Sequence, residues 1–320
     1  MIKVGVIGAG HFGRQHARIY TEMEDAQLVA IVDVEESSGR PVAEACGAEF
    51  FPDHRQLIGR VDAVSLAAPT LHHCLLACDL LSQGISVLVE KPMASTIEEA
   101  DRMIAAAAMS SAVLQVGHLE RFNPAVTAAK QIATTPRFFE AHRLSVFTPR
   151  SLDVDVVMDL MIHDIDVVLS LVGSDVAEVR AAGVPVLTPM VDIANARIEF
   201  QNGAVANLTA SRVSGERTRK LRFFQPREYI SIDYSAQEAS MVSVNPAEGG
   251  RPQFEARLLR VERAEPLRLE IEAFLRSVAG EPIVVSGLEG RRALEVAVEI
   301  NNQIREHALR AGVNFPARAD

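Results

Sequence analysis

The feature that most constrains this chain is Gly8-Ala9-Gly10-His11-Phe12-Gly13, a G-x-G-x-x-G turn. It stands between an apolar, β-branched run (residues 3–8) and a stretch whose apolar residues recur at helical spacing (11–21). A second strand-like run, 27–33, ends in Asp33, about 20 positions after the last glycine. Strand, glycine turn, helix and terminal acid together predict a dinucleotide-binding unit. Gly8 permits the tight turn. Gly10 lets a pyrophosphate approach the backbone at the helix N-terminus, and Gly13 lets helix and strand close up. Asp33 accepts hydrogen bonds from ribose hydroxyls and repels the extra phosphate of NADP, so the expected cofactor is NAD.

The alternation continues with strands expected at 62–68, 86–90 and 112–116, and helices at 37–45, 70–83 and 95–109. Short buried strands between amphipathic helices imply right-handed crossovers and a parallel sheet. After about residue 136 the pattern changes. A long strand (137–147) and a helix (155–171) precede a strand-rich region (177–244), and helices return at 266–279 and 290–311. Asn202-Gly203 between two apolar runs is a strong hairpin signal, and Gln225-Pro226-Arg227-Glu228 punctuates the region in the same way. The fold expected is an α/β Rossmann domain (residues 1–120) followed by an α+β domain (121–320) with a mostly antiparallel sheet. The C-terminal helix is placed to pack back on the first domain.

Composition narrows the function classes. A net charge of −10 over 320 residues gives no general attraction for nucleic acid or anionic lipid. No apolar run reaches the roughly 18 residues of a membrane span, and no leader is expected. Three cysteines fit a reducing, cytoplasmic setting. Cys74 and Cys78, four apart, have no further ligands near them in sequence, so no metal is expected.

Two further clusters stand out. In Glu90-Lys91-Pro92, the lysine falls at the C-terminal end of a parallel strand, where open α/β sheets bind ligands. Asp159 and His163 lie four apart on one face of an otherwise apolar helix, and polar groups there are costly unless paired or lining a cleft. Surface positions are expected for His16, His54, His142 and His307.

These segments, in order, together with Ala68-Pro69-Thr70-x-x-His73 and Gly117-His118-x-x-Arg121-Phe122-Asn123-Pro124, resemble the Gfo/Idh/MocA oxidoreductases. The resemblance implies a second domain with a large open sheet, a nicotinamide cofactor, and a sugar or cyclitol substrate. It implies a catalytic trio of Lys91, Asp159 and His163. Ala68, Pro69, Thr70, His73 and Glu90 are implied to lie along the cofactor, with Gly8, Gly10, His11, Phe12, Gly13 and Asp33. The segments around His118 and His163, with Phe147-Thr148-Pro149-Arg150, are most similar to members that oxidise position 3 of UDP-N-acetylglucosamine for lipid A synthesis. A nucleotide-sugar diphosphate would call on Arg121, Arg143, Arg150, Arg217 and Arg219. His118 and Asn123 complete the expected substrate contacts. An inositol or free-sugar dehydrogenase, or a non-catalytic NAD-binding sensor, are the alternative readings. Phe200, Leu208, Ile230 and Ile232 are expected on the uncovered face of the second sheet, predicting a homodimer or homotetramer.

Overall fold

The computed structural model describes residues 1–148, 154–245 and 252–312. The chain divides into two compact units, residues 1–119 with 265–294, and residues 120–264 with 295–320.

The first unit is built on six strands: β1 (Ile2–Ile7), β2 (Ala26–Val32), β3 (Glu49–Phe51), β4 (Ala63–Leu66), β5 (Ser86–Glu90) and β6 (Leu114–Gly117). All pair in parallel, in the order β3-β2-β1-β4-β5-β6. β3 goes beyond the sequence expectation; three residues are too few to show a period of two. The order reverses beside β1, where its neighbours β2 and β4 lead to opposite edges, and open α/β sheets bind ligands at that point. Helices α1 (His11–Thr21), α2 (Glu36–Cys46), α3 (His73–Leu81) and α4 (Ile97–Ser110) make the crossovers. Within this unit, Ala17, Ile19 and Tyr20 of α1 join Val4, Val6 and Ile31 in one buried cluster. Ile271, Phe274 and Leu275 from the late helix at Pro266–Val278 complete it.

The second unit starts with α5 (Pro124–Ile132), β7 (Phe138–Leu144) and α6 (Ile162–Val172), then runs through β8 (Val176–Val184), β9 (Ile193–Phe200), β10 (Val205–Ser211), β11 (Thr218–Gln225), β12 (Glu228–Asp233), β13 (Glu238–Asn245) and β14 (Gln253–Leu258). The chain ends with α7 (Pro266–Val278), already placed in the first unit, and α8 (Gly287–Ala311). The sheet order is β14-β13-β12-β11-β7-β10-β9-β8. Every pair is antiparallel except β7 with β10, because β7 is inserted between two meanders. The Asn202-Gly203 turn closes β9 and β10, with Gly203 at φ +79°.

Cross-strand register explains which sheet face is covered. Ile232, Leu221, Ala141, Leu208 and Ala196 form one row across the sheet, and Ile230, Phe223, Phe139, Ala206 and Ile198 the next. All are buried, and α6 lies over β7 and β10. Burying each large side chain contributes about 1.5–3 kcal/mol. Phe200, Leu208, Ile230 and Ile232 are therefore core residues, which corrects their expected placement on the uncovered face. The alternate positions carry ion pairs instead, among them Arg222–Glu140, Lys220–Asp233 and Arg197–Glu199, with Phe138, Phe224 and Tyr229 as an aromatic group.

Arg143 continues the inward parity of Phe139 and Ala141 on β7. Its guanidinium is 3% exposed and donates to both oxygens of Asp164, at 2.7 and 3.1 Å, and to Glu120 at 3.0 Å. It also stacks 4.9 Å above the Tyr234 ring. Burial opposes the charge, but the Asp164 and Glu120 carboxylates more than offset that and raise the guanidinium pKa. Removing one partner of such a cluster leaves buried charge uncompensated. Arg143→Leu is expected to cost about 3–5 kcal/mol in urea unfolding. A variant as stable as the wild type would show that the cluster contributes no net stability.

Candidate active site

The glycine turn after β1 behaves as its sequence requires. Gly8 sits at φ +92°, and a Cβ on it would meet Ala67 O at 2.6 Å. A Cβ on Gly13 would lie 1.7 Å from Gly8 O, so only glycine lets α1 come this close to β1. Gly10 differs: a Cβ there would meet nothing within 4 Å. Its open side is the cradle a pyrophosphate needs. The first turn of α1 has no acidic residue and no side-chain cap, so its N–H groups are left for an anion. His11 and Phe12 are exposed beside it, their rings 5.6 Å apart.

Asp33 follows β2. Its Oδ2 accepts the Ala9 N–H at 2.7 Å and its Oδ1 the Glu35 N–H at 2.9 Å, so the carboxylate anchors the glycine turn. A carboxylate has lone pairs left for ribose hydroxyls after two such bonds. These features fit the adenosine-diphosphate half of NAD.

Two more segments leave the same sheet edge. After β4, Ala68 and Pro69 lead into the short turn Thr70–His72 and into α3. His73 is buried, with Nδ1 3.0 Å from Pro92 O and Nε2 2.8 Å from Ala68 O. It ties the loop after β4 to the segment after β5. Burial lowers its pKa below 6.5, against the pull of the two carbonyls. The neutral ring carries one N–H, so one of those two contacts is its hydrogen bond. After β5, Lys91 is half-buried and precedes Pro92 through a cis peptide bond. The Lys91 N–H donates to Glu90 Oε2 at 3.3 Å.

In the second unit, residues Val157–Met161 form a π-helical turn that runs into α6. Asp159 lies in that turn and His163 in the first turn of α6. A π turn has more residues per turn than an α-helix, so positions four apart come closer to eclipse. Both remain half-buried while Met161, Ile162, Asp164 and Ile165 are buried.

The arginines separate into two kinds. Arg143 and Arg121 are held internally, Arg121 against Asp166 at 3.3 Å with its side chain 6% exposed. They are structural ions rather than the diphosphate ligands the sequence suggested. Arg217 and Arg219 are exposed, and no carboxylate among the described residues pairs with them. Arg219 lies beside Arg143 across the β7–β11 pair. Partial burial, and then the Arg143 charge, lower its pKa. Arg150 lies outside the described residues.

Asn123 is likewise structural: its Oδ1 caps α5 at the Ala125 N–H, and its Nδ2 donates to Glu120 and to Tyr234 O, which corrects its expected substrate contact. Asn before Pro at a helix start is a cap signature that could have identified this role. His118 is buried at the end of β6, in the first unit. His16, expected at the surface, is 1% exposed on the inner face of α1. His54 and His142 are half-buried, and His307 is exposed.

Two outcomes test this geometry. Gly10→Ala should leave the melting temperature unchanged but weaken NAD binding about tenfold by calorimetry, because its Cβ enters only the open cradle. Equal affinity would place the pyrophosphate elsewhere. The second concerns His73. Its pKa is lower folded than unfolded, so the unfolded chain binds more protons as pH falls below 6.5. Its contribution to stability is complete above that value and lost as pH falls toward the folded pKa. Urea midpoints between pH 7.5 and 5 should therefore fall more steeply in the wild type than in His73→Gln. Parallel slopes would refute the assignment.

The protein-family model of the Gfo/Idh/MocA oxidoreductases, described as an oxidoreductase family with an NAD-binding Rossmann fold, matches residues 2–118. The model of the family's C-terminal domain matches residues 131–228. The chain is similar to UDP-N-acetylglucosamine 3-dehydrogenase of Acidithiobacillus ferrooxidans, 38% identical over 302 residues, covering 93% of this chain and 96% of that one. A solved structure of that dehydrogenase superposes with a TM-score of 0.89 at 37% identity, over 95% of this chain and 98% of that one. Myo-inositol 2-dehydrogenase of Thermotoga maritima is more distant, 28% identical over 95% of this chain and 97% of its own. The chain belongs to the Gfo/Idh/MocA family and is an NAD-dependent oxidoreductase.

Proposed function

We propose that this enzyme oxidises the position-3 hydroxyl of UDP-N-acetylglucosamine, with lipid A synthesis as its setting. The observation that carries the reading is the 38% identity to a UDP-N-acetylglucosamine 3-dehydrogenase along nearly the whole chain. NAD, which the glycine turn at Gly8, Gly10 and Gly13 and the Asp33 carboxylate would hold, would supply the hydride acceptor for the carbinol carbon. His163 takes the hydroxyl proton, since an imidazole titrates nearest neutral pH. Lys91 places its ammonium beside the developing alkoxide. Asp159 orients the imidazole or a neighbouring hydroxyl. Arg217 and Arg219, both exposed and neither paired with a carboxylate among the described residues, bind the diphosphate. The product is a 3-keto sugar, a substrate suited to an aminotransferase.

We place the enzyme in the cytoplasm, the compartment of nucleotide sugars; no helix among the described residues is long and apolar enough to cross a membrane. Self-association through the second sheet, as a homodimer or homotetramer, is part of the same reading. It is supported by the Phe138, Phe224 and Tyr229 group and by β14, exposed along its whole length with Phe254 and Leu258 outward.

The test compares NAD reduction with UDP-N-acetylglucosamine, free N-acetylglucosamine and myo-inositol. Turnover is expected only with the UDP-sugar. Arg219→Ala should raise its KM at least tenfold with kcat nearly unchanged, because the diphosphate contact is the same in ground and transition states. Lys91→Ala and His163→Ala should each slow turnover about a hundredfold or more while retaining NAD binding. Reduction of NAD by inositol, with none by the UDP-sugar, would replace this reading with a polyol dehydrogenase.

A further inference from the structure

Under the sheet edge that carries Lys91 lies a chain of buried polar groups. Tyr20 on α1 is 1% exposed, and its hydroxyl is 2.8 Å from Ser65 Oγ on β4. Ser65 Oγ is 2.9 Å from His16 Nδ1, one turn back on α1. His16 Nε2 is 3.1 Å from Glu90 Oε1, and Glu90 Oε2 accepts the Lys91 N–H.

The direction of this chain follows from donor arithmetic. Burial, the largest cause, raises the Tyr20 pKa, so the phenol keeps its proton. The direction of the chain is set from its other end, where the Glu90 carboxylate only accepts and so faces an N–H on His16 Nε2. Nδ1 of the neutral ring then accepts, so Ser65 gives its single hydroxyl proton to His16 and accepts from Tyr20. Each donor has one acceptor in line. Gly117 lies close against Glu90: a Cβ there would stand 3.3 Å from the Glu90 Cα and Oε2.

We propose that His16 is a positioning residue for Lys91, acting through Glu90. It ties the lysine's backbone to α1, the helix whose N-terminus receives the cofactor phosphates. The inference rests on the reading of Lys91 as a catalytic group. Displacing a reacting group by a fraction of an ångström costs rate even when binding survives, and outer partners of a site group commonly matter in this way.

The experiment uses the full-length enzyme with NAD and UDP-N-acetylglucosamine, and three substitutions that keep different contacts. His16→Gln retains a donor near the Nε2 position toward Glu90. His16→Asn retains only the contact toward Ser65. His16→Phe retains neither but preserves bulk. Melting temperature, NAD affinity by calorimetry, KM and kcat are measured for each. The expected result is a kcat about tenfold or more below wild type for Asn and Phe and largely recovered for Gln, with NAD affinity and sugar KM within about twofold. If Phe fails to fold, the Asn–Gln pair still decides. Wild-type kcat in Asn, or kcat values that follow melting temperature rather than the Glu90 contact, would overturn the proposal. Lys91→Ala runs alongside: near-wild-type turnover there would remove the catalytic reading itself, whereas a Lys91→Ala loss with an unaffected His16 series would remove only this inference. Donor atoms of His16, Glu90 and Glu270 lie within 4.8 Å of one another. Loss of wild-type activity on chelator treatment, restored by Zn²⁺ or Mn²⁺, would overturn the positioning role in favour of a metal.

Discussion

The close approach of α1 to β1 at Gly8 and Gly13 is the contact on which the first unit depends. With any larger residue at 13 the helix could not start where it does. Because it starts there, its first-turn N–H groups open at the sheet edge beside β4, where the strand order reverses. The same placement sets the phase of the helix. Gly13, His16, Ala17 and Tyr20 follow at spacings of three, four and seven, and all four are buried. A helix start that opens its N–H groups at the sheet edge and a buried histidine under the lysine strand are thus consequences of one steric fact.

Much of this was legible in the sequence. The glycine turn, the parallel alternation and the Asn202-Gly203 hairpin each rest on a local rule that tertiary packing rarely overrides. The Lys91, Asp159 and His163 positions came from family resemblance, since a tripeptide or an i,i+4 pair alone does not distinguish a site from a structural pair. What was misread is the fate of polar residues. Arg143 was expected at a diphosphate because arginines suit phosphates. The alternation of Phe139, Ala141 and Arg143 already pointed it inward, but its acidic partners, Asp164 and Glu120, are distant in sequence. His16 carried a readable signal in its helical spacing from Gly13 and Tyr20. Phe200, Leu208, Ile230 and Ile232 show the limit of period two: it sorts residues into two faces but does not say which face the helices cover.

The buried charges follow one pattern. Arg143 with Asp164 and Glu120, and Arg121 with Asp166, neutralise charge inside the second unit, and Asn123 fills the remaining acceptor on Glu120. Such clusters are expensive to desolvate, and replacement by apolar side chains is often neutral or better for stability. Stability alone is therefore a weak reason for them. What they supply is geometric definition, since bidentate contacts to a planar guanidinium fix both partners in angle and distance.

An engaged carboxylate falls next to a proposed catalytic group in each unit. Lys91 follows Glu90, whose carboxylate is engaged by His16 from α1. His163 precedes Asp164, whose carboxylate is engaged by Arg143 from β7. In each case a group that must keep partial exposure to meet substrate is bonded in sequence to a carboxylate that is tied down. A flexible lysine or a surface imidazole would lose orientation to side-chain entropy. Anchoring the neighbouring residue limits the backbone without burying the reactive atom. In the proposed reading, Glu90 within the first unit and Asp164 within the second each fix the backbone next to a reactive side chain and leave that side chain to the substrate.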